Sequence, residues 1–129
     1  MWEIVKSFRF EAAHSLAGTT LGSDAEQVHG HSFRAEVALR GTPDPTTGMV
    51  KDFGALDAEL AAIRRALDHR MLNHVEGLEK PTLETLARYI FDRLRPAGVR
   101  LARVTVYRDS CGEACSYFGE DRGPSTNAG

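Results

Sequence analysis

Residues 29–40 alternate between apolar and polar side chains, the pattern of a β-strand with one buried face. Every second position from 33 onward is apolar: Phe33, Ala35, Val37 and Leu39. Because the same alternation begins at His29 and His31, both imidazoles project from one face of the strand. Gly30 between them leaves the opposite face open to close approach. The pair therefore predicts half of a metal site at the start of a half-buried strand.

A second strand is predicted over residues 2–14, where Ile4, Phe8 and Phe10 share one side. It ends at His14, whose imidazole could complete a three-nitrogen set with the other two. Three imidazoles that leave a fourth coordination position open are typical of catalytic zinc. A His-x-His spacing also arises by chance, and histidine is a common surface residue. The spacing alone therefore leaves a metal site and an exposed pair as alternatives.

Two helices are predicted in the middle of the chain. Residues 41–48 are rich in Gly, Thr and Pro and form a loop, after which Asp52 caps the first helix. The apolar residues of this helix step by three and four: Phe53, Leu56, Leu60, Ile63 and Leu67. Thr82 caps a second helix, which the Pro-Ala-Gly of residues 96–98 ends.

The remaining residues supply two more strands, over residues 101–108 and 116–118, and a polar tail over 121–129. The order ββααββ contains no sign of a parallel crossover. It predicts one α+β domain over residues 1–120, with a four-stranded antiparallel sheet and both helices on one face. The other face of the sheet meets either solvent or a partner, and the edges of the sheet need to be covered, which favours an oligomer.

Length and composition exclude several classes of protein. A chain of 129 residues suffices for one core, and a formal charge of −2 gives no basic surface for nucleic acid. Lys6 and Arg9 interrupt the first apolar run before a signal peptide or a membrane span can form. Cys111 and Cys115 are too few for a disulfide scaffold and lack a second pair for zinc. We expect reduced thiols near a turn, in a cytoplasmic protein.

Six ordered segments between about residues 4 and 120 resemble the 6-pyruvoyl-tetrahydropterin synthase and 6-carboxytetrahydropterin synthase family. The segments are Phe10-Glu11-Ala12-Ala13-His14, Val28-His29-Gly30-His31-Ser32-Phe33, Thr47-Gly48-Met49-Val50-Lys51-Asp52-Phe53, Leu67-Asp68-His69 with Leu72-Asn73, Pro81-Thr82-Leu83-Glu84, and the end from Cys111 to Glu120. The resemblance implies a tunnelling fold and a homohexamer, a dimer of trimers with active sites between subunits.

The resemblance also implies a chemistry. It implies that His14, His29 and His31 hold a zinc ion. It also implies that the substrate is a pterin whose side-chain hydroxyls bind this metal. Zinc would act as a Lewis acid that acidifies neighbouring protons. The family moves these protons with a cysteine and an Asp-His pair, and the pair corresponds here to Asp68 and His69. Without the resemblance, a histidine after a helix could equally stabilise the helix dipole.

Two positions depart from the family pattern. The position of the catalytic cysteine, four residues before His29, holds Ala25, and Glu26 follows it. A glutamate here resembles the branch that cleaves the dihydroneopterin side chain to 6-hydroxymethyl-dihydropterin. Asp109 aligns with a glutamate that clamps the pterin ring, and it is one methylene shorter.

The resemblance makes Thr82 and Glu84 candidates for lining the pterin pocket, although Glu84 could simply favour the helix dipole. His74 has no implied role and is expected on the surface. A carboxylate in water is a weaker base than a thiolate by about four pKa units, but burial can raise the pKa of a carboxyl group. Glu26 can therefore be a general base if it is desolvated, or an exposed loop acid if it is not.

Three functional hypotheses follow. The first is a zinc-dependent lyase acting on dihydroneopterin or its triphosphate, with Glu26, Asp68, His69 and Asp109 as the catalytic set. The second, favoured by Ala25 together with Asp109, is a paralogue that binds pterins without converting them. The third is a 6-carboxytetrahydropterin synthase in which the cysteine has been replaced by alanine to trap substrate.

Overall fold

The computed structural model describes residues 1–16, 26–94 and 99–120. These residues form a five-stranded sheet with two helices and two short 3₁₀ turns. The elements are β1 (Trp2–His14), β2 (His29–Gly41), α1 (Phe53–Leu67), β3 (Arg70–Met71), a 3₁₀ turn (Leu72–His74), α2 (Leu83–Arg93), β4 (Arg100–Arg108), a second 3₁₀ turn (Asp109–Cys111) and β5 (Glu113–Tyr117). The strand order is β3-β1-β2-β4-β5. The predicted α+β class is confirmed.

The two long strands pair antiparallel along their whole length, from Trp2 opposite Gly41 to His14 opposite His29. Their apolar faces lie on the helix side of the sheet, where the Phe10 and Phe33 rings stack with centroids 5.1 Å apart. Each of these rings is 1% exposed. The predicted alternation is thereby confirmed, and one apolar face extends to the end of the hairpin that carries the histidines.

Both helices pack on that apolar face and contribute to one core. The Asp52 carboxylate accepts a hydrogen bond from the Ala55 N–H at 3.2 Å and so caps α1. The predicted stripe of α1 is wrong at its first position: Phe53 is 43% exposed, and the Lys6 ammonium lies 5.8 Å from its ring. The packed stripe begins one turn later and comprises Leu56, Leu60, Ile63 and Leu67.

The predicted four-stranded antiparallel sheet needs two corrections. A fifth strand, β3, pairs parallel with β1 opposite Ala12 and Ala13, and two residues are too few to give a periodic signal. The last strand begins before the predicted 116–118, because Gly112 adopts φ of 67° and closes a tight connection to β4. The predicted loop over 17–27 lies mostly outside the described residues, as do the helix stop at 96–98 and the tail over 121–129.

The helix-free face of the sheet carries a network of charged side chains. Arg103 lies 2.9 Å from Glu36 and 3.6 Å from Glu3, and Arg34 lies 3.7 Å from Glu36. At the sheet edge, β3 covers only the last part of β1, so most of the outer edge of β1 is unpaired within the described chain. In that described part, neither helix has the length and apolar character to cross a bilayer.

Replacing Val104 by alanine tests the core. Val104 lies on β4 and is fully buried in the core. Val104→Ala should therefore lower the free energy of unfolding by about 2 kcal/mol. The matched change Val5→Ala, at a strand residue that is 45% exposed, should cost less than about 0.5 kcal/mol. Urea denaturation of both variants provides the measurement, and equal losses would contradict this assignment of the core.

Candidate metal and acid–base site

Three histidines meet at the end of the apolar face. His14 on β1 pairs with His29 on β2, and His31 lies opposite Ala12 in the same register. The His14 and His29 Nε2 atoms are 3.0 Å apart, close to the roughly 3.3 Å expected between two nitrogens on one tetrahedral zinc. One ligand atom from each of the three residues lies within 4.8 Å of the other two. Of the potential ligand sets among the described residues, only this one has three members.

The hydrogen bonds of these rings determine which nitrogens can bind a cation. His14 Nδ1 lies 2.9 Å from the Pro81 carbonyl oxygen, and His29 Nδ1 lies 2.7 Å from that of Gln27. Because a carbonyl only accepts, both Nδ1 atoms donate, and both Nε2 atoms of the neutral rings present lone pairs. His31 Nε2 is buried and has no hydrogen-bond partner. Lone pairs that converge in this way fit a divalent cation.

Burial keeps two of the rings, those of His14 and His31, in the neutral form that a metal requires. Loss of solvent is the main cause that lowers the pKa of His31 to about 4, and the charges of His14 and Arg108 contribute to the same shift. Burial also lowers the pKa of His14, which is 1% exposed. The Phe33 ring packs edge-on against both, with centroids 5.5 Å from His31 and 5.9 Å from His14. The imidazoles of His14 and His31 are therefore unprotonated at neutral pH.

The loop before α2 and the 3₁₀ turn that precedes it hold the end of β1 beside the three histidines, a role that sequence patterns did not predict. Besides the Pro81 carbonyl, the Asn73 side chain holds the residue after His14. Its Oδ1 accepts from the Ser15 N–H at 2.9 Å, and its Nδ2 donates to the Ser15 carbonyl at 2.8 Å. These contacts span more than 50 residues of sequence, so only the folded chain shows them.

Asp68 and His69 form the predicted pair at the end of α1. The Asp68 carboxylate lies 3.0 Å from His69 Nδ1 and 3.1 Å from the Arg64 guanidinium, and it accepts a hydrogen bond from the Glu11 N–H at 2.9 Å. The His69 N–H donates to the Glu11 carbonyl at 2.6 Å. His69 has φ of 58°, in the left-handed region, and its side chain is 78% exposed. Asp68 and His69 thus lie along the edge of β1, and the next residues of the chain form β3, which pairs with the same edge.

A cavity of about 470 Å³ is lined by residues from both the three-histidine cluster and the Asp68–His69 pair. Its lining includes His31 from the metal cluster and His69 from the acid–base pair, together with Glu11, Ser32 and Arg70. Ser32 donates a hydrogen bond to the Glu11 carboxylate at 2.5 Å. A small molecule in this cavity could contact a metal ion and a titratable imidazole together.

The other predicted residues lie around this centre. Glu26 is exposed, and its carbonyl accepts from the Ser15 hydroxyl at 2.6 Å, which holds it beside the residue that follows His14. Ala25 lies outside the described residues. The Asp109 carboxylate is 46% exposed and is bound by the Arg34 guanidinium at 2.9 and 3.1 Å, which lowers its pKa.

A second cavity, of about 400 Å³, begins at α2. Its lining includes Thr82 and Glu84, the two candidates for a pterin pocket, together with Arg108, Glu113 and Cys115. Sequence reasoning did not single out Arg108, which lies outside the six segments, or Glu113, which lies in the segment from Cys111 to Glu120 but has no role assigned there. Cys115 and Cys111 are free thiols, as expected.

Replacing one of the three histidines tests the metal centre. Protein purified with zinc present should contain about one metal ion per chain, and His31→Ala should reduce this to background, because two imidazoles hold zinc far more weakly than three. His74→Ala, at an exposed histidine outside the cluster, should retain the metal. Elemental analysis measures both; equal metal content in the two variants would contradict the assignment.

Asp68 should make the stability of the fold depend on pH. The Glu11 N–H, followed by His69 and Arg64, lowers the pKa of Asp68 below its ordinary value of 3.8. A lowered carboxyl pKa stabilises the fold above that ordinary value, and the stabilisation is lost as the pH falls through the folded-state pKa. Asp68→Asn should therefore destabilise the protein at pH 7 and flatten its acid unfolding curve. The matched Asp57→Asn, at a more exposed residue of the same helix, should do neither.

Comparisons with known proteins agree with this geometry. The sequence profile of the 6-pyruvoyl tetrahydropterin synthase family matches residues 3–120. A 6-carboxy-5,6,7,8-tetrahydropterin synthase from Synechocystis is 41% identical over 123 residues, which cover 92% of this chain and 94% of that protein. A dihydroneopterin monophosphate aldolase from Pyrococcus furiosus is 33% identical over 107 residues, which cover 81% and 87%.

Solved structures show the same fold. The Caenorhabditis elegans 6-pyruvoyl tetrahydropterin synthase superimposes with a TM-score of 0.79 at 29% identity, over 92% of this chain and 96% of that one. A Plasmodium vivax 6-pyruvoyl tetrahydropterin synthase gives a TM-score of 0.68 at 18% identity, a likeness of fold alone. With its profile match, its relatives and its tunnelling fold, the chain belongs to the 6-pyruvoyl tetrahydropterin synthase family.

Proposed function

We propose that this protein is a zinc-dependent lyase acting on dihydroneopterin or one of its phosphate esters. The observation that carries the proposal is the convergence of three imidazoles, with one cavity lined both by a member of this cluster and by the histidine of the Asp–His pair. The names of the relatives support a pterin substrate, since they describe a tetrahydropterin synthase and a dihydroneopterin phosphate aldolase.

Zinc is the metal that best fits His14, His29 and His31. Imidazole nitrogen is a preferred zinc ligand, and the buried His31 Nε2 has no other partner. When bound, the metal would supply Lewis acidity to the hydroxyl groups of the substrate side chain. The Pro81 and Gln27 carbonyls would hold two of the ligand rings in the tautomer that the metal requires.

Proton transfer is assigned to His69, with Asp68 as the residue that positions it. The carboxylate 3.0 Å from Nδ1 fixes the ring orientation and favours a proton on that nitrogen, which leaves Nε2 as the atom that exchanges protons. Exposure of the ring makes it accessible to a ligand in the larger cavity. Glu26, held next to the metal centre through Ser15, would be the second proton-transfer group.

Glu26 also bears on the product. With alanine at position 25, a carboxylate rather than a thiol is the group available there, and we propose cleavage of the substrate side chain. The bond between C1′ and C2′ breaks as the 2′-hydroxyl loses its proton, and the electron pair passes into the ring system. A proton is then returned to C1′. The products are 6-hydroxymethyl-dihydropterin and a two-carbon aldehyde, so that atoms and charge balance.

The remaining assignments concern substrate binding and assembly. Thr82 and Glu84 are proposed to line the pterin pocket, and Asp109 to contact the substrate, as the family resemblance implies. The charged helix-free face and the unpaired edge of β1 fit a protein that associates with copies of itself. We propose a homohexamer on the same grounds.

Assays with zinc-loaded protein test this function. Dihydroneopterin or its triphosphate should give 6-hydroxymethyl-dihydropterin, separated chromatographically from 6-carboxytetrahydropterin and 6-pyruvoyl-tetrahydropterin. His69→Asn should lower kcat by about 10²- to 10⁴-fold. Asparagine tolerates the left-handed backbone at this position, so the fold should be retained. His74→Asn is the matched control and should keep full activity.

One rival function has support of its own. Ala25 and Asp109 together favour a protein that binds pterins without converting them, because the catalytic thiol is missing and the aspartate is one methylene shorter than the family's glutamate. Tight calorimetric binding of dihydroneopterin with no product, at full zinc occupancy, would reject the lyase and support this rival. If Ala25 instead replaces a synthase's cysteine, Ala25→Cys should restore 6-carboxytetrahydropterin formation, whereas a glutamate-dependent enzyme should gain little.

A further inference from the structure

The side chain of Asn73 joins three segments that are distant in sequence. Asn73 lies in the 3₁₀ turn Leu72–His74, which the fully buried Leu72 anchors to the core. Its Oδ1 accepts a hydrogen bond from the Ser15 N–H at 2.9 Å, and its Nδ2 donates to the Ser15 carbonyl at 2.8 Å. A longer hydrogen bond, of 3.4 Å, runs from Nδ2 to the Glu79 carbonyl. One amide therefore connects the turn, the end of β1 and the loop before α2.

This amide takes the place of a strand partner beyond the end of β1. Pairing of β1 with β3 ends at Ala13, opposite Met71, and pairing with β2 ends at His14. Ser15 is the next residue, and the Asn73 amide bonds both its N–H and its carbonyl, as the backbone of a further strand residue would. Because an N–H only donates and a carbonyl only accepts, these contacts also fix the orientation of the amide.

The same side chain restrains the metal ligand His14 in two ways. Its contacts with Ser15 hold the backbone immediately after His14. Its bond to Glu79 holds the loop in which the Pro81 carbonyl lies 2.9 Å from His14 Nδ1. Both the backbone position and the ring orientation of this ligand thus depend on one amide.

A restrained ligand binds a metal ion more tightly than a mobile one. His14 is the last residue of its strand, and the ends of strands open more easily than their centres. A metal ion requires its ligand atoms within about 0.5 Å of fixed positions, so any freedom that His14 retains must be lost on binding. Groups that orient metal ligands accordingly change metal affinity by about 10- to 100-fold.

Asn73 also connects His14 to the histidine of the acid–base pair. His69 and Asn73 lie on one short segment, residues 68–75, which includes β3 and the 3₁₀ turn. The His69 N–H donates to the Glu11 carbonyl at 2.6 Å, so the segment is attached to β1 near both of its ends. An event that orders the end of β1 therefore also orders this segment.

We propose that Asn73 is a positioning residue for the metal centre, which sets the metal affinity through His14 and couples metal binding to the order of residues 68–75. The coupling is reciprocal, because a side chain that strengthens metal binding must itself be held more firmly when the metal is bound. The inference rests on the zinc site of the proposed function and involves no contact with the substrate.

Zinc affinity provides the first test. Competition with a chromogenic zinc chelator should give Asn73→Ala a dissociation constant about 10- to 100-fold above that of the wild type. Asp44→Ala is the matched control, because Asp44 also bonds two backbone groups, the N–H groups of Thr46 and Thr47, at the opposite end of the β1–β2 hairpin. This variant should bind zinc with wild-type affinity. Thermal unfolding of both zinc-free variants measures their loss of stability separately.

Hydrogen exchange of the wild type provides the second test and requires no variant. Zinc should slow exchange in residues 68–75, which include the hydrogen-bonded N–H groups of His69 and Val75. It should leave exchange unchanged in residues 44–48, a hydrogen-bonded turn at the other end of the hairpin. In Asn73→Ala, zinc should no longer protect residues 68–75.

Three results would overturn the inference. If Asn73→Ala loses stability but binds zinc as tightly as the wild type, the amide only supports the fold, and the proposed function stands. If zinc binds the wild type without slowing exchange in residues 68–75, the coupling is absent, and the proposed function again stands. If the wild type binds no zinc, the metal centre itself fails, and the proposed function fails together with this inference.

Discussion

The antiparallel pairing of β1 with β2 is the interaction on which the candidate site depends. His14 reaches His29 only because these residues are partners at the end of thirteen paired positions. A shift of the register by one residue would turn every side chain of one strand to the other face. The stacked Phe10 and Phe33 rings oppose such a shift, since it would expose a large apolar surface. The energy of the hydrophobic core thereby orients the imidazoles.

The core also holds the three-histidine cluster, whose converging nitrogens are unfavourable without a bound cation. A buried, unpaired nitrogen such as His31 Nε2 costs about 1–3 kcal/mol. Burial of a single leucine or phenylalanine in the same core contributes a similar amount, and the core contains many such residues. The fold can therefore keep three converging lone pairs in position, and a bound cation would relieve their repulsion.

The sheet separates two environments. The helix-covered face is apolar and ends in the histidines, whereas the helix-free face carries a network of arginines and glutamates that includes Arg34. Neighbouring residues of a strand belong to opposite environments, so Arg108 faces the histidines while Tyr107 stacks on Arg34. The Arg34 guanidinium draws the Asp109 carboxylate to the helix-free face. The alternation of side chains along β4 thus determines that Arg108, and not Tyr107, lies on the face of the three histidines.

The sequence by itself determined the two long strands, the two helix caps and the set of three histidines, because these depend on periodicity and on residue types that act locally. It could not show β3, which has two residues, or the position of His69, which depends on hydrogen bonds to Glu11 from the distant β1 edge. The closure of Pro81 and Asn73 over His14, and the pairing of Arg108 with Glu113, were likewise decided only by tertiary structure. Contacts between distant segments arise from how the helices and strands pack, and no local pattern encodes them.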